Sequence, residues 1–233
     1  MKLWKSNHCT IYQVLNGRSN SFLISNQNTS ILVDTGRKNS WETLTLQIDK
    51  LLGKNNLSNL ILTHTHFDHA ENASKIKEKY DSKIILHGRE TEYLKMGNAP
   101  LPKGNNGVTR FLIDVIGKKM ESHYSYEPVD PDILIDENYS LNNLGFNVDI
   151  IHTPGHSNGS ISVIIDDSIA LVGDTLFGVF GNSVYPPFAD DTKILIKSWK
   201  KLLNTHCSLF IPGHGKEINR KLLESQYYKY SKD

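Results

Sequence analysis

The apolar positions of this chain follow two periods, and the switches between them outline its elements. Residues 9–15, 21–25 and 29–33 are short, mostly apolar runs, with a turn signal at Asn16-Gly17 and a stop at Asp34-Thr35-Gly36. They predict three strands of one meander. From residue 38 to 52 the period lengthens: Trp41, Leu44, Ile48, Leu51 and Leu52 share a helical face, and Gly53 closes it. A strand at 59–62, a helix over about 70–80 and a strand at 83–86 follow, with His87 at the end of the last. Strands alternating with helices predict an α/β chain.

Residues 91–135 interrupt that rhythm. Gly97, Pro100, Pro102, Gly104 and Gly107 mark a loop, and Val108, Phe111, Leu112, Val115, Ile116 and Met120 then form one helical stripe. This inserted loop-helix region is expected to pack as an ordinary helix, to cover a substrate cleft, or to meet a second copy of the chain in a homodimer. Past it come an apolar run at Ile133-Leu134-Ile135, a strand at 146–151 and a hairpin of 160–165 and 169–172 around Asp166-Asp167. An amphipathic helix at 193–203, a strand at 209–211 and a closing helix over 218–228 complete the chain. No short-period repeat appears, and residues 1–233 are expected to form a single domain.

Composition mainly excludes. Charged residues are 22% and hydrophobic ones 38%, as in ordinary soluble domains. A formal net charge of +1, with its basic residues spread out, gives no broad electrostatic case for nucleic acid or an anionic membrane. The two cysteines, Cys9 and Cys207, form no C-x-x-C pair, so neither a disulfide framework nor thiol chemistry is indicated. Residues 1–13 lack the apolar core of a signal peptide and nothing later approaches a membrane span, so the expected location is the cytoplasm.

The chemistry is concentrated where the strand at 59–62 meets the following helix. His64, His66, Asp68 and His69 fall within six residues there. Residues two apart on an extended chain point the same way, which aims His64 and His66 at one point; Asp68 and His69 turn with the chain toward a second point beside it. Neutral imidazoles and carboxylates are the usual ligands of zinc and related metals. His156, Asp174 and His214 also follow apolar strands, each beside a glycine. If the strands end on one side, all seven groups meet at that edge. Five histidines and two aspartates suffice for two ions with one shared carboxylate, an arrangement that activates water and polarises an attacked oxygen.

The ordered set Asp34, H-x-H-x-D-H at 64–69, His156, Asp174 and His214 resembles the metallo-β-lactamase superfamily, from about residue 10 to 218. The resemblance implies an αβ/βα sandwich of two mixed sheets with helices on the outer faces. It implies His64, His66 and His156 on a first metal, Asp68, His69 and His214 on a second, and Asp174 bridging, with two zinc ions (manganese or iron as alternatives) as cofactor. Asp34 and Asp68 are the further candidates for catalysis: Asp34 steadies the ligand loops, and Asp68 passes a proton to the leaving group. Of the other histidines, His87 and His152 end strands near the site and are candidates for touching substrate, whereas His8, His123 and His206 have no partner motif.

Departures from the family narrow the substrate. True β-lactamases of this fold generally carry Cys or Ser where Asp174 stands. Gly173-Asp174-Thr175-Leu176-Phe177 is similar to the motif of hydroxyacylglutathione hydrolases, but their glutathione-holding helical region has no counterpart in the 19 residues after His214. Quorum-quenching lactonases have a Tyr at the position of Phe177; Tyr93, Tyr124, Tyr126 or Tyr185 is the available substitute. The expected activity is metal-dependent hydrolysis of an ester-like bond in a small molecule: a thioester, lactone or ester. A mononuclear iron dioxygenase acting on persulfides, and a non-catalytic binding domain, are the alternatives.

Overall fold

The computed structural model describes residues 1–105, 109 and 124–232, so the helical stripe expected over 108–120, and His123, lie outside the described residues. Among the described residues, thirteen strands form two mixed sheets. The first sheet runs β1 (Leu3–Lys5), β2 (Thr10–Leu15), β3 (Ser21–Ser25), β4 (Thr29–Val33), β5 (Asn56–Ile61), β6 (Lys83–His87) and β7 (Ile133–Ile135), in that spatial order. Its first four strands are the expected antiparallel meander with one strand added, and β4 to β7 are parallel. The second sheet joins β8 (Asn138–Ser140), β9 (Val148–His152), β10 (Ile161–Ile165), β11 (Ile169–Leu171), β12 (Leu209–Ile211) and β13 (Ile218–Asn219), parallel only between β11 and β12.

The apolar runs are nearly unbroken because each sheet is covered on both faces. In β4, Ile31 and Val33 enter a core shared between the sheets, while Leu32 faces the other way. Ile61 and Ile85 join that shared core, and the second sheet answers with Val148, Ile150, Ile161, Val163 and Ile211. Leu32, Leu60 and Ile84 pack instead against α1 (Trp41–Leu52) and α3 (Ala73–Tyr80) through Leu44, Ile48 and Ile76. On the far side, Ala170 and Phe210 meet α5 (Thr192–Leu203) and α6 (Arg220–Tyr230) through Leu195, Trp199, Leu202 and Leu223. The result is the helix–sheet–sheet–helix sandwich expected from the sequence.

Four expectations need correction. The helix expected over 70–80 is a four-residue turn, α2 (Phe67–Ala70), followed by α3, because the Asn72 side chain turns back to the carbonyls of Thr35 and Arg37. Residues 91–96, expected to carry no element of their own ahead of the loop marked from Gly97, form a short helix, α4 (Thr91–Met96), which Gly97 ends in the left-handed conformation. The closing helix starts at Arg220, since Ile218 and Asn219 pair with β12 and the Asn219 side chain then caps the helix at Leu222. The strands β1 and β8 were not expected at all. At Asp166-Asp167 both residues adopt positive φ, as a tight hairpin requires, and each carboxylate accepts from a histidine, His8 and His206 respectively.

Candidate metal centre

Five strands of the two sheets end at one shared edge. Asp34 follows β4, Thr63 to His69 follow β5, His156 follows β9, Asp174 follows β11 and His214 follows β12. Close approach of these strand ends needs missing side chains. A Cβ on Gly213 would sit 2.5 Å from Asp174 Oδ1 and 2.6 Å from His69 Cε1. Gly173, at φ +49°, would drive a Cβ into Thr63. Asp34 itself is left-handed at φ +59°, a conformation Asp tolerates and which its side-chain bonds to Thr63 and His69 hold in place.

The ligand-type atoms fall into overlapping groups within 4.8 Å of one another: His64, His66 and His156; Asp68, His69 and His214; and His64, His69 and Asp174 joining them. His66 Nδ1 lies 2.9 Å from His156 Nε2, and His69 Nε2 lies 3.3 Å from His214 Nε2. Asp68 stands 3.3 Å from His214 and 4.0 Å from His69. Asp174 reaches both sides: Oδ2 is 3.5 Å from His156 Nε2 and 3.3 Å from His214 Nε2, and Oδ1 is 3.4 Å from His69 Nε2. Ligand atoms on a tetrahedron of ~2.1 Å radius lie roughly 3.4 Å apart, so this spacing suits metal coordination.

The outward ring nitrogens fix the tautomers. His64 Nδ1 donates to Thr63 Oγ1, 3.0 Å away, which donates in turn to Asp34 Oδ2 at 2.8 Å. His69 Nδ1 donates to the same Asp34 oxygen, His156 Nδ1 to the Phe188 carbonyl, and His214 Nδ1 to the Arg18 carbonyl. His66 bonds the Pro100 backbone, which offers only its carbonyl. Each imidazole therefore turns its second nitrogen inward. Inside, His64 Nε2 and Asp174 Oδ1 are buried without a hydrogen bond. Orphaned lone pairs in so polar a cluster, backed by carbonyls and a carboxylate, fit divalent metal.

The histidines split electrostatically. Burial pushes His64 well below the usual imidazole range, and His66 and His156 down to about 4. Burial acts the same way on His69 and His214. There Asp174 and Asp68, joined at His69 by Asp34, outweigh it and raise them to about 9 and about 11. Burial would raise the two carboxyls as well, but the facing histidines hold Asp68 at about 2 and Asp174 well below its ordinary value.

His66, Asp68, His156, Asp174 and His214 floor a cavity of about 260 Å³. Three comparisons agree with the geometry. The sequence profile of the metallo-beta-lactamase superfamily matches residues 15–214. A probable metallo-hydrolase of Methanocaldococcus jannaschii is 30% identical over 200 residues, 84% of this chain and 87% of that one.

The chain belongs to the metallo-β-lactamase superfamily.

A hydroxyacylglutathione hydrolase of Haemophilus influenzae is 28% identical over 203 residues, 84% of each chain. The structure of a metallo-β-lactamase family protein from Thermus thermophilus superposes with a TM-score of 0.70 at 19% identity, covering 95% of this chain and 79% of that one. Like its superfamily relatives, the chain is a metal-dependent hydrolase. No helix among its described residues is long and apolar enough to cross a membrane.

Other candidates fall away from the centre. Asp34 does not line this cavity; it is 2% exposed behind His64 and His69, bonded to His69 directly and to His64 through Thr63. His87 and His152 stack on each other at 3.9 Å and neither lines the cavity. Among the tyrosines considered, Tyr124 lines it, Tyr126 donates to the Thr65 carbonyl, and Tyr185 packs on Trp199 and Tyr230. One residue escaped the sequence reading. Glu90, 1% exposed, accepts from the Thr65 amide and hydroxyl with one oxygen and from Ser157 Oγ and the Gly159 amide with the other. It ties the loop of His64 and His66 to the loop of His156.

Proposed function

We propose that this superfamily member is a dinuclear hydrolase of ester-like carbonyls: a thioester, lactone or ester of a small molecule. The observation that carries this is Asp174, whose two oxygens face His156 on one side and His69 and His214 on the other, at the floor of the cavity. His64, His66 and His156 would hold one ion, Asp68, His69 and His214 the other, and Asp174 both. Two zinc ions, when bound, supply an activated water and an electrophile for the carbonyl oxygen.

The protein's own part is placement and proton handling. Asp34 and the Thr63 hydroxyl lock His64 and His69 in the ligating tautomer. Asp68, ionised and with its side chain 20% exposed at the cavity, accepts the proton of the attacking water and hands it to the leaving group. The water oxygen bonds the carbonyl carbon, the bond from that carbon to sulfur or oxygen breaks, and the products are a carboxylic acid with a thiol or alcohol, or for a lactone one hydroxy acid. The similarity to a hydroxyacylglutathione hydrolase and the motif at 173–177 support acyl chemistry.

The test is Asp174→Ala on protein whose metal content is measured by plasma mass spectrometry. Two ions per chain in the parent, fewer in the variant, and at least 1000-fold slower thioester hydrolysis are expected; full activity in the variant would sink the mechanism. One iron per chain in the parent, with oxygen uptake on a persulfide, would replace it with the dioxygenase reading.

A further inference from the structure

The wall of the cavity differs in kind from its floor. Every charged side chain that lines it among the described residues belongs to the donor cluster, and the remaining lining is Phe67, Leu101, Pro102, Phe177, Phe188 and their proline and tyrosine neighbours. No described lysine or arginine lines it. The apolar surface also continues outward. Phe177 lies against His214 with ring centroids 4.8 Å apart, and on its other side stacks with Phe180 at 6.4 Å. Phe180 is 52% exposed and its neighbour Val179 55%, where apolar side chains gain nothing from water.

Resting on the acyl-hydrolase reading above, we propose that this site selects substrates by an uncharged, apolar acyl group, medium-chain aliphatic or aromatic, seated between Phe67, Leu101, Phe177 and Phe188. A group carrying carboxylates or a peptide, as glutathione does, would lose hydration there without gaining a described cation or donor beyond the donor cluster and Tyr124. The space, about 260 Å³, is finite, so the gain from added methylenes should stop at medium chain length, near octanoyl. Hydrolysis itself is unchanged: the water oxygen bonds the acyl carbon, the carbon–sulfur bond breaks, and the thiol leaves with the proton.

The experiment uses the zinc-loaded full chain and thioesters of one small neutral thiol, from acetyl to decanoyl, beside S-lactoylglutathione. The expected result is a rise in kcat/KM of roughly 3-fold per methylene, levelling near octanoyl, with S-lactoylglutathione far below octanoyl. A flat or falling series, or a preference for S-lactoylglutathione, overturns the proposal while leaving the hydrolase reading intact. Calorimetric binding of the product acids, acetate to decanoate, reads the pocket without turnover. If no thioester is cleaved, the thioesterase form of the hydrolase reading fails, and the same per-methylene rise in affinity still supports the apolar seat whereas its absence overturns it. Phe188→Ala should lower the octanoyl-to-acetyl ratio at least 5-fold; general loss of folded protein would lower both rates and leave the ratio alone.

Discussion

The two donor sets use the same side chain in opposite protonation states. His64, His66 and His156 are as buried as His69, and His214 nearly so, so burial alone does not separate them. The difference lies in their neighbours. The first set gives its outward protons to a hydroxyl and to carbonyls, and burial leaves those rings neutral at pH 7. The second faces Asp68 and Asp174, and the carboxylates hold protons on His69 and His214. Without metal, one set is ready to ligate and the other is an internal ion-pair network.

The largest expected effect is on metal loading. Zinc entering the second set must displace up to two protons, from groups at about 9 and about 11, so its affinity should rise up to 100-fold per pH unit between pH 6.5 and 8.5. The first set, with His66 and His156 at about 4 and His64 well below the usual imidazole range, should load with no proton release over that range. Calorimetric titration of chelator-stripped protein in two buffers of different ionisation enthalpy measures this; equal proton release by both equivalents would erase the distinction. The same groups set the stability of the stripped protein. A raised histidine stabilises the fold fully below its unfolded value near 6.5 and loses that contribution as pH climbs to the folded value, so stripped protein should weaken from pH 6.5 up to about 11, most steeply below about 9, where both rings hold a proton that the unfolded chain lacks. Denaturant midpoints across that range would show it.

Next in size is Asp34→Ala. Its carboxylate holds His69 directly and His64 through Thr63, so it serves both sets. Losing it should cost 10- to 100-fold in metal affinity at each, read by competition with a chromogenic chelator. An effect confined to one set would mean that the Thr63 relay does not position His64.

Much of this centre was legible in the sequence because its signals are local. H-x-H-x-D-H lies within six residues, and Asp34, His156, Asp174 and His214 each mark an apolar strand's end near a glycine that the packing requires. The long amphipathic helices α1 and α5 were legible for the same reason. The short strands β1, β8 and β13 mix apolar and polar residues and carry too little pattern to be seen, whereas the equally short β7, β11 and β12 are wholly apolar runs. Glu90 was invisible because its meaning lies in partners 25 to 69 residues away; alone it reads as an ordinary acid at a helix start. The cavity wall is the same case, with Phe67, Leu101, Phe177 and Phe188 drawn from four separate segments.

Glu90→Gln sharpens the comparison from the other side. Four donors converge on the carboxylate, and an amide in its place turns two N–H groups toward them. Since Glu90 ties Thr65 to Ser157 and Gly159, the change should loosen His64 and His66 against His156. It should weaken the first set about 10-fold and leave the second near its parent value. Cobalt substitution reads this as an altered visible spectrum for the first equivalent bound. Equal weakening of both sets would make Glu90 a general stability residue rather than a clamp.

The smallest effect concerns a histidine pair outside both sets. His87 and His152 stack between the ends of β6 and β9 and so link the two sheets. Burial lowers both below the ordinary imidazole value, against the hydrogen bonds they make to the Asp136 and Asn158 carbonyls; Arg89 lowers both further, joined at His152 by His87 and Lys201, while the Asp136 and Glu90 charges pull His87 weakly the other way. A depressed histidine contributes stability above its unfolded value near 6.5 and loses it as pH falls through the folded value. The pair's contribution to stability should therefore shrink from pH 6.5 downward, by at most ~1.4 kcal/mol per pH unit for each ring. His152→Gln keeps a donor for the Asn158 carbonyl and removes one titrating ring. Its unfolding free energy should fall less steeply from pH 7.5 to 5.5 than the parent's, and parallel curves would show that the stack does not couple protonation to the joining of the sheets.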